Sequence, residues 1–184
     1  MLKVLAKFFT GLILLSSFTN CDFSTINKSS AEKVRFTNLK EILKESFEIE
    51  DRLDVDFNQD GKPDEILILR YNSSNRRSLV ICIKENEEEY SLNVLSSIAV
   101  KNRINETSLD PYNGIRSDTG GFTLIHTSNK APFNTLEHTF TFDPQSKLFY
   151  LTKFVEIGKQ GNITRTVDDF GAVNIFDFNI QTEY

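Results

Sequence analysis

The sequence predicts a mainly β domain, an antiparallel sheet or sandwich, with one short N-terminal helix. Three observations carry that expectation. The apolar runs Ile66–Leu69 and Leu79–Ile83 have the length and branched composition of buried strands. His138, Phe140 and Phe142 alternate with Thr139 and Thr141, the period of a strand with one face buried and one wet. Between such segments lie short clusters of Gly, Asn, Asp and Pro, the residues of tight turns. Sixteen phenylalanines and no tryptophan supply the core volume.

The first twenty residues have the layout of a secretory signal. Lys3 and Lys7 form a positive start, Phe8 to Leu15 an apolar stretch too short to anchor as a span, and residues 16–20 lead to Cys21. A cysteine at that place is expected to be lipidated, as in a bacterial lipoprotein; otherwise it is an ordinary residue of the leader. Phe18 and Asn20 depart from the usual lipidation pattern. The expected organisation is therefore a signal peptide at 1–20, a polar tether at 21–33 and one β-rich domain at 34–184. The expected place is the bacterial cell envelope, on a membrane through the lipid, facing the periplasm or the surface.

Removing residues 1–20 takes away two lysines and no acid, so the net charge of −5 becomes −7. With no basic cluster longer than Arg76-Arg77, a nucleic-acid partner is not expected. Cys82 lies in an apolar run and reads as a small buried hydrophobe. With Cys21 lipidated, no disulfide is available to staple the domain.

Leu39, Ile42, Leu43 and Phe47 recur at helical spacing, and Asn38 with Glu41 suits a capping box. These residues predict an amphipathic helix over 38–47. Next comes the most informative stretch, Asp54-Val-Asp-Phe-Asn-Gln-Asp-Gly-Lys-Pro-Asp-Glu65. Asp56, Asn58, Asp60 and Asp64 fall at loop positions 1, 3, 5 and 9, with Gly61 at position 6 and the Lys62 carbonyl at position 7. Hard oxygen donors at that spacing, around a glycine that allows a sharp turn, suit Ca²⁺. An EF-hand is excluded: position 12 is Leu67 rather than Glu, and a strand-like run follows. Asp64 is then the expected closing carboxylate. Asn-Gln-Asp-Gly also suits a plain turn, but four carboxylates within Asp54–Asp64 would repel one another there. The expected ion is a structural Ca²⁺ held at roughly 10⁻⁴ to 10⁻³ M.

After the loop, Arg77–Lys84 and Tyr90–Val100 predict a hairpin around the acidic turn Glu85–Glu89. That turn is either solvated or a second cation site. Asn102–Asn113 is polar and looped. Gly114–Asp118 and Phe122–Thr127 flank Thr119-Gly120-Gly121, a hairpin signal. The turn at Asp143–Lys147 sends Leu148–Ile157 back along its neighbour. The tail, Val167–Phe178, is expected to pack on the sheet as a strand or a short helical turn.

The loop Asp56–Asp64 followed by Ile-Leu-Ile-Leu resembles the calcium loop of FG-GAP and VCBS-type repeats. That resemblance implies Asp56, Asn58, Asp60, the Lys62 carbonyl and Asp64 as ligands, and a partial-propeller-like arrangement as an alternative fold. Gln59 departs from the small residue usual there. The loop occurs once, so a full propeller is excluded. The order of leader, short helix, loop, strands, Gly120-Gly121 hairpin and late Asp169-Phe170-Gly171 is also similar to small uncharacterised bacterial exported lipoproteins.

Catalytic groups are sparse. His126 and His138 are the only histidines and have no zinc-ligand spacing. His138 with Glu137 is expected half-exposed on a sheet face. Cys82 among valine and isoleucines does not suit a thiolate nucleophile. The expected function is a calcium-stabilised structural or protein-binding module without catalysis. The alternative is an envelope inhibitor or immunity protein against a toxin or hydrolase.

Overall fold

The computed structural model describes residues 34–181, apart from 42, 44, 105–107 and 129–130. The signal peptide, the tether and Cys21 lie outside the described residues. Two antiparallel sheets pack face to face. The first has the order β1-β5-β4-β3-β2, with β1 Arg35–Phe36, β2 Phe47–Val55, β3 Asp64–Tyr71, β4 Arg77–Lys84 and β5 Tyr90–Ser96. The second runs β10-β9-β8-β7-β6, from β6 Tyr112–Asp118, β7 Gly121–Thr127, β8 Thr135–Asp143, β9 Leu148–Gly158 and β10 Gly161–Thr166. A four-residue helix, α1 Val167–Phe170, and β11 Val173–Asn174, which pairs with β9, close the chain. This mainly β architecture matches the sandwich expectation.

Each sheet is chiefly a meander because short turns join consecutive strands. Where the chain turns at Gly120-Gly121, a Cβ on Gly121 would stand 1.9 Å from the Phe140 carbonyl oxygen. Only glycine lets β7 and β8 approach there. At the β8–β9 hairpin, Asp143 accepts the Gln145 and Ser146 amides at 3.1 Å each, and Lys147 closes the turn with φ 58°.

The main core lies between the sheets. Ile66, Ile68, Leu79, Ile81 and Val94 from the first face Phe122, Leu124, Phe140, Phe149 and Leu151 from the second. Ile175, Phe178 and Ile180 of the tail fill the same core. The opposite face of the first sheet is covered as well. Leu67, Leu69, Val80 and Cys82 pack there with Phe36 and Leu43. Burial on both faces explains why β3 and β4 read as unbroken apolar runs while β8 alternates.

Among the described residues of 38–47 the expected helix is not formed. The segment keeps one 3₁₀ turn, Leu39–Glu41, and Phe47 already belongs to β2. Glu41 accepts the Thr37 hydroxyl at 2.9 Å instead of reaching back to the backbone of residue 38, so the reciprocal box is absent. A helix that short is marginal in water. The β2–β3 ladder, paired from Phe47–Tyr71 to Val55–Asp64, captures the C-terminal part of the segment. Leu39 and Leu43 still pack as an apolar pair, but over the outer face of the first sheet.

Candidate functional site

The acidic loop is the turn between β2 and β3, at the end of the first sheet. Its side chains fold onto its own backbone. Asp56 accepts the Asp60 amide at 3.1 Å and the Gly61 amide at 2.9 Å. The Asn58 carbonyl oxygen accepts the Asp60 amide at 2.9 Å, and Asp60 accepts the Lys62 amide at 2.9 Å. Gly61 sits at φ +83°, with nothing within 4 Å of where a Cβ would be. Gln59, at φ 60°, occupies the same left-handed region without being glycine.

Asp64 has a different environment. Its residue is fully buried, and its two carboxylate oxygens accept the Phe57 amide at 3.1 Å and the Lys84 amide at 2.9 Å. It thus pins the loop to both β2's exit and β4's end. Burial pushes its pKa above the usual carboxylate range, and the charges of Asp60 and Asp56 add to that against the two amide bonds. Among the described residues no lysine or arginine pairs with it. Lys62 instead points its ammonium at the Glu85 carbonyl, 2.7 Å away, with Asp60 at 3.7 Å.

These contacts join Asp56, Asn58 and Asp60 around one stretch of backbone, with Asp64 at its base. The side-chain donors are all oxygen, as Ca²⁺ prefers, and each carboxylate oxygen keeps a second lone pair beyond its amide bond. The donor set therefore fits the ion chemically. The carboxylates do not converge as a preformed cage: among the described residues no group of three or more His, Cys, Asp or Glu is arranged to hold a metal. The acidic turn Glu85–Glu89 is likewise dispersed. Glu85 accepts the Ser91 hydroxyl at 2.6 Å, and Glu89 lies 3.5 Å from Arg35.

His138 is not half-exposed. His126 and His138 are both buried, with ring centroids 5.9 Å apart, and His138 packs against Phe154 and Phe178. Both belong to the inner face of the second sheet, because the alternation that buries Phe140 also buries the residue two before it. Desolvation lowers both pKa values, that of His138 to about 3, with Lys101 acting in the same direction. Glu137, on the other face, pairs with Arg116 at 2.7 Å. Cys82 is buried as expected, and burial pushes its thiol up to about 12. Asp169 caps the Thr166 amide at 2.7 Å, a local role for the Asp-Phe-Gly segment.

Sequence reading missed the ionic centre at the other end of the molecule. Arg77 is 1% exposed and forms two bidentate pairs, with Glu50 at 2.6 and 2.7 Å and with Asp110 at 2.6 and 2.9 Å. Its guanidinium also lies 5.3 Å from the Tyr112 ring, whose hydroxyl donates to Asp51 at 3.0 Å. Burial acts against the arginine's charge, but the two carboxylates outweigh it and raise its pKa. Glu50 is the extra residue where β2 slips against β3, and the bulge turns its side chain toward Arg77. The sequence signal for this was only an arginine opening an apolar run. No family model, curated protein or solved structure matches this chain.

Proposed function

We propose that this protein is an exported, lipid-anchored module that calcium stabilises and that acts by structure or by binding another protein, without catalysis. The observation that carries the reading is Asp64, a buried carboxylate with no basic partner among the described residues, beneath a loop of oxygen donors. A buried, unpaired negative charge is costly, and a divalent cation shared with Asp56, Asn58 and Asp60 would offset that cost. In the bound loop, Asp56, Asn58, Asp60, Asp64 and the Lys62 carbonyl would hold the ion, which would supply charge neutralisation and a fixed turn. Export and the lipid at Cys21 rest on the leader described above.

The absence of catalysis is supported by the state of the candidate groups. The Cys82 thiol and both imidazoles are buried.

The experiment is a thermal melt of the purified protein in EGTA, in millimolar Ca²⁺ and in Mg²⁺. Binding to the folded state alone raises stability by RT ln(1 + [L]/Kd). A calcium-selective rise is expected, and Asp60→Ala should abolish it. Superimposable curves in EGTA and Ca²⁺ for the unsubstituted protein would end the calcium reading.

A further inference from the structure

A sheet edge carries a row of unpaired N–H and C=O groups, and proteins blunt such edges with bulges, charges or very short strands. Among the described residues, three of the four edges are treated in this way. At one edge of the first sheet β1 has only two residues, and β5 behind it is bulged at Asn93, since Ile81 pairs with Val94 and Cys82 with Leu92. At the other edge β2 is bulged at Glu50 and carries Glu48, Arg52 and Asp54. In the second sheet β6 is bulged at Asn113, and its Tyr112 bonds across to Asp51 of β2. β10 has none of these devices. Its six residues, Gly161–Thr166, are all exposed, pair with β9 without a break, and include one charge and no proline.

The pairing shows which groups of β10 are free. A two-residue turn, Lys159-Gln160, joins β9 to β10, so Gly158 and Gly161 exchange hydrogen bonds and every second pair after them does the same. Ile163 and Arg165 therefore direct their main-chain groups to β9, while Asn162 and Thr164 point theirs away from the sheet. Thr166 also faces outward, but its N–H already donates to Asp169 at 2.7 Å. The free edge is thus Asn162 and Thr164, with Ile163, 51% exposed, between them.

We propose that β10 pairs antiparallel with β10 of a second copy of this chain, about a twofold axis at Ile163. In this register Asn162 of each copy lies opposite Thr164 of the other, and the two exchange hydrogen bonds. Ile163 meets its own copy at a non-hydrogen-bonded position, where Cα atoms lie about 4.5 Å apart and side chains pack. Arg165 lies opposite Gly161, which has no side chain, so no like charges oppose each other. Thr166 lies opposite Gln160, which brings Asp168, in the first turn of α1, alongside Lys159 of the second copy. Among the described residues, neither Asp168 nor Lys159 forms an ion pair within its own chain. Moving the axis to residue 162 would set Arg165 opposite Lys159, and moving it to 164 would need the Thr166 N–H that Asp169 holds. An unrelated extended peptide would require none of these matches to self, so they select a second copy as the occupant.

The contact is isologous and each chain has one such edge, so the assembly closes as a dimer. It gives the protein-binding role above a partner, and it is independent of the metal because the calcium loop belongs to the other sheet.

The test is sedimentation velocity of the purified protein in EGTA, from about 1 μM to about 1 mM. A monomer–dimer equilibrium is expected, half associated at about 0.1 mM because the paired edge is short. Thr164→Pro removes an outward N–H without touching the β9 ladder and should abolish dimerisation, with circular dichroism to check the fold. Lys159→Glu or Asp168→Lys alone should weaken association about fivefold, since each pair occurs twice in the dimer, and the two together should restore it. These reversals lie on exposed side chains, so they decide the matter even where the proline variant unfolds. A monomer throughout, an assembly larger than a dimer, or a dimer indifferent to folded Thr164→Pro or to the single reversals would overturn the proposal. Dimerisation in EGTA with these responses supports the pairing, whatever the melts show of the metal.

Discussion

Replacing Arg77 with Met should be among the most damaging single changes outside the apolar core. The methionine keeps much of the stem's volume but removes five side-chain hydrogen bonds, four to carboxylates and one to the Lys101 carbonyl at 3.2 Å. It strands Glu50 and Asp110, whose side chains are 24% and 34% exposed, beside each other without their cation. Breaking a fully buried ion pair costs about 3–5 kcal/mol. Because both carboxylates can recover some water, the lower end applies, about 3 kcal/mol. At about 3 °C per kcal/mol for a domain of this size, the midpoint should fall by about 9 °C. Urea titration and calorimetry would measure the loss. The triple variant Arg77→Met, Glu50→Gln, Asp110→Asn should recover more than half, since the cost lies chiefly in the stranded charges. A single variant within about 1 kcal/mol of the unsubstituted protein, or a triple no better than the single, would refute this account of how β2, β4 and the Asp110 segment are held together.

Stability should also depend on acid in a defined window. The folded state keeps His126 and His138 neutral by burial, so below about pH 6.5 the unfolded chain binds more protons than the folded one. Their contribution is complete above that pH and is lost as pH falls toward the folded value of about 3 for His138, at up to about 1.4 kcal/mol per pH unit per histidine. Asp64, with its raised pKa, acts in the opposite sense. Urea midpoints between pH 7 and 4.5 should fall steeply, and His138→Phe should flatten the slope; an unchanged slope would count against the assignment. Gly121→Ala should cost about 3 kcal/mol, since its Cβ meets backbone rather than a movable side chain, while Gly120→Ala, at φ +69°, should cost about 1. Chemical denaturation would rank them, and equal costs would show that β7 and β8 part without penalty.

Most strands were legible because their reasons are local. Leu79–Ile83, the Gly120-Gly121 turn and the Thr-Phe alternation of β8 each carry their own signal, and the structure places strands there. β2 was given no boundaries from sequence, although its charged residues Glu48, Glu50, Arg52 and Asp54 alternate with Phe47, Ile49, Leu53 and Val55. It becomes a strand by pairing with β3, and as an edge it is suited to charge. β10, exposed along its length, likewise exists through its ladder with β9.

The sequence by itself determined the fold class, the turn that carries the oxygen donors and the apolar setting of Cys82, because each depends on neighbours a few positions away. Only the tertiary structure decided that the candidate helix shrinks to a turn and that His138 is buried. It also decided that Arg77 joins Glu50 and Asp110, and that the Asn93 bulge meets the Lys147 turn. Those outcomes depend on which faces two sheets present to each other. Contacts such as Asn93 with Lys147, 54 positions apart, have no imprint in local periodicity.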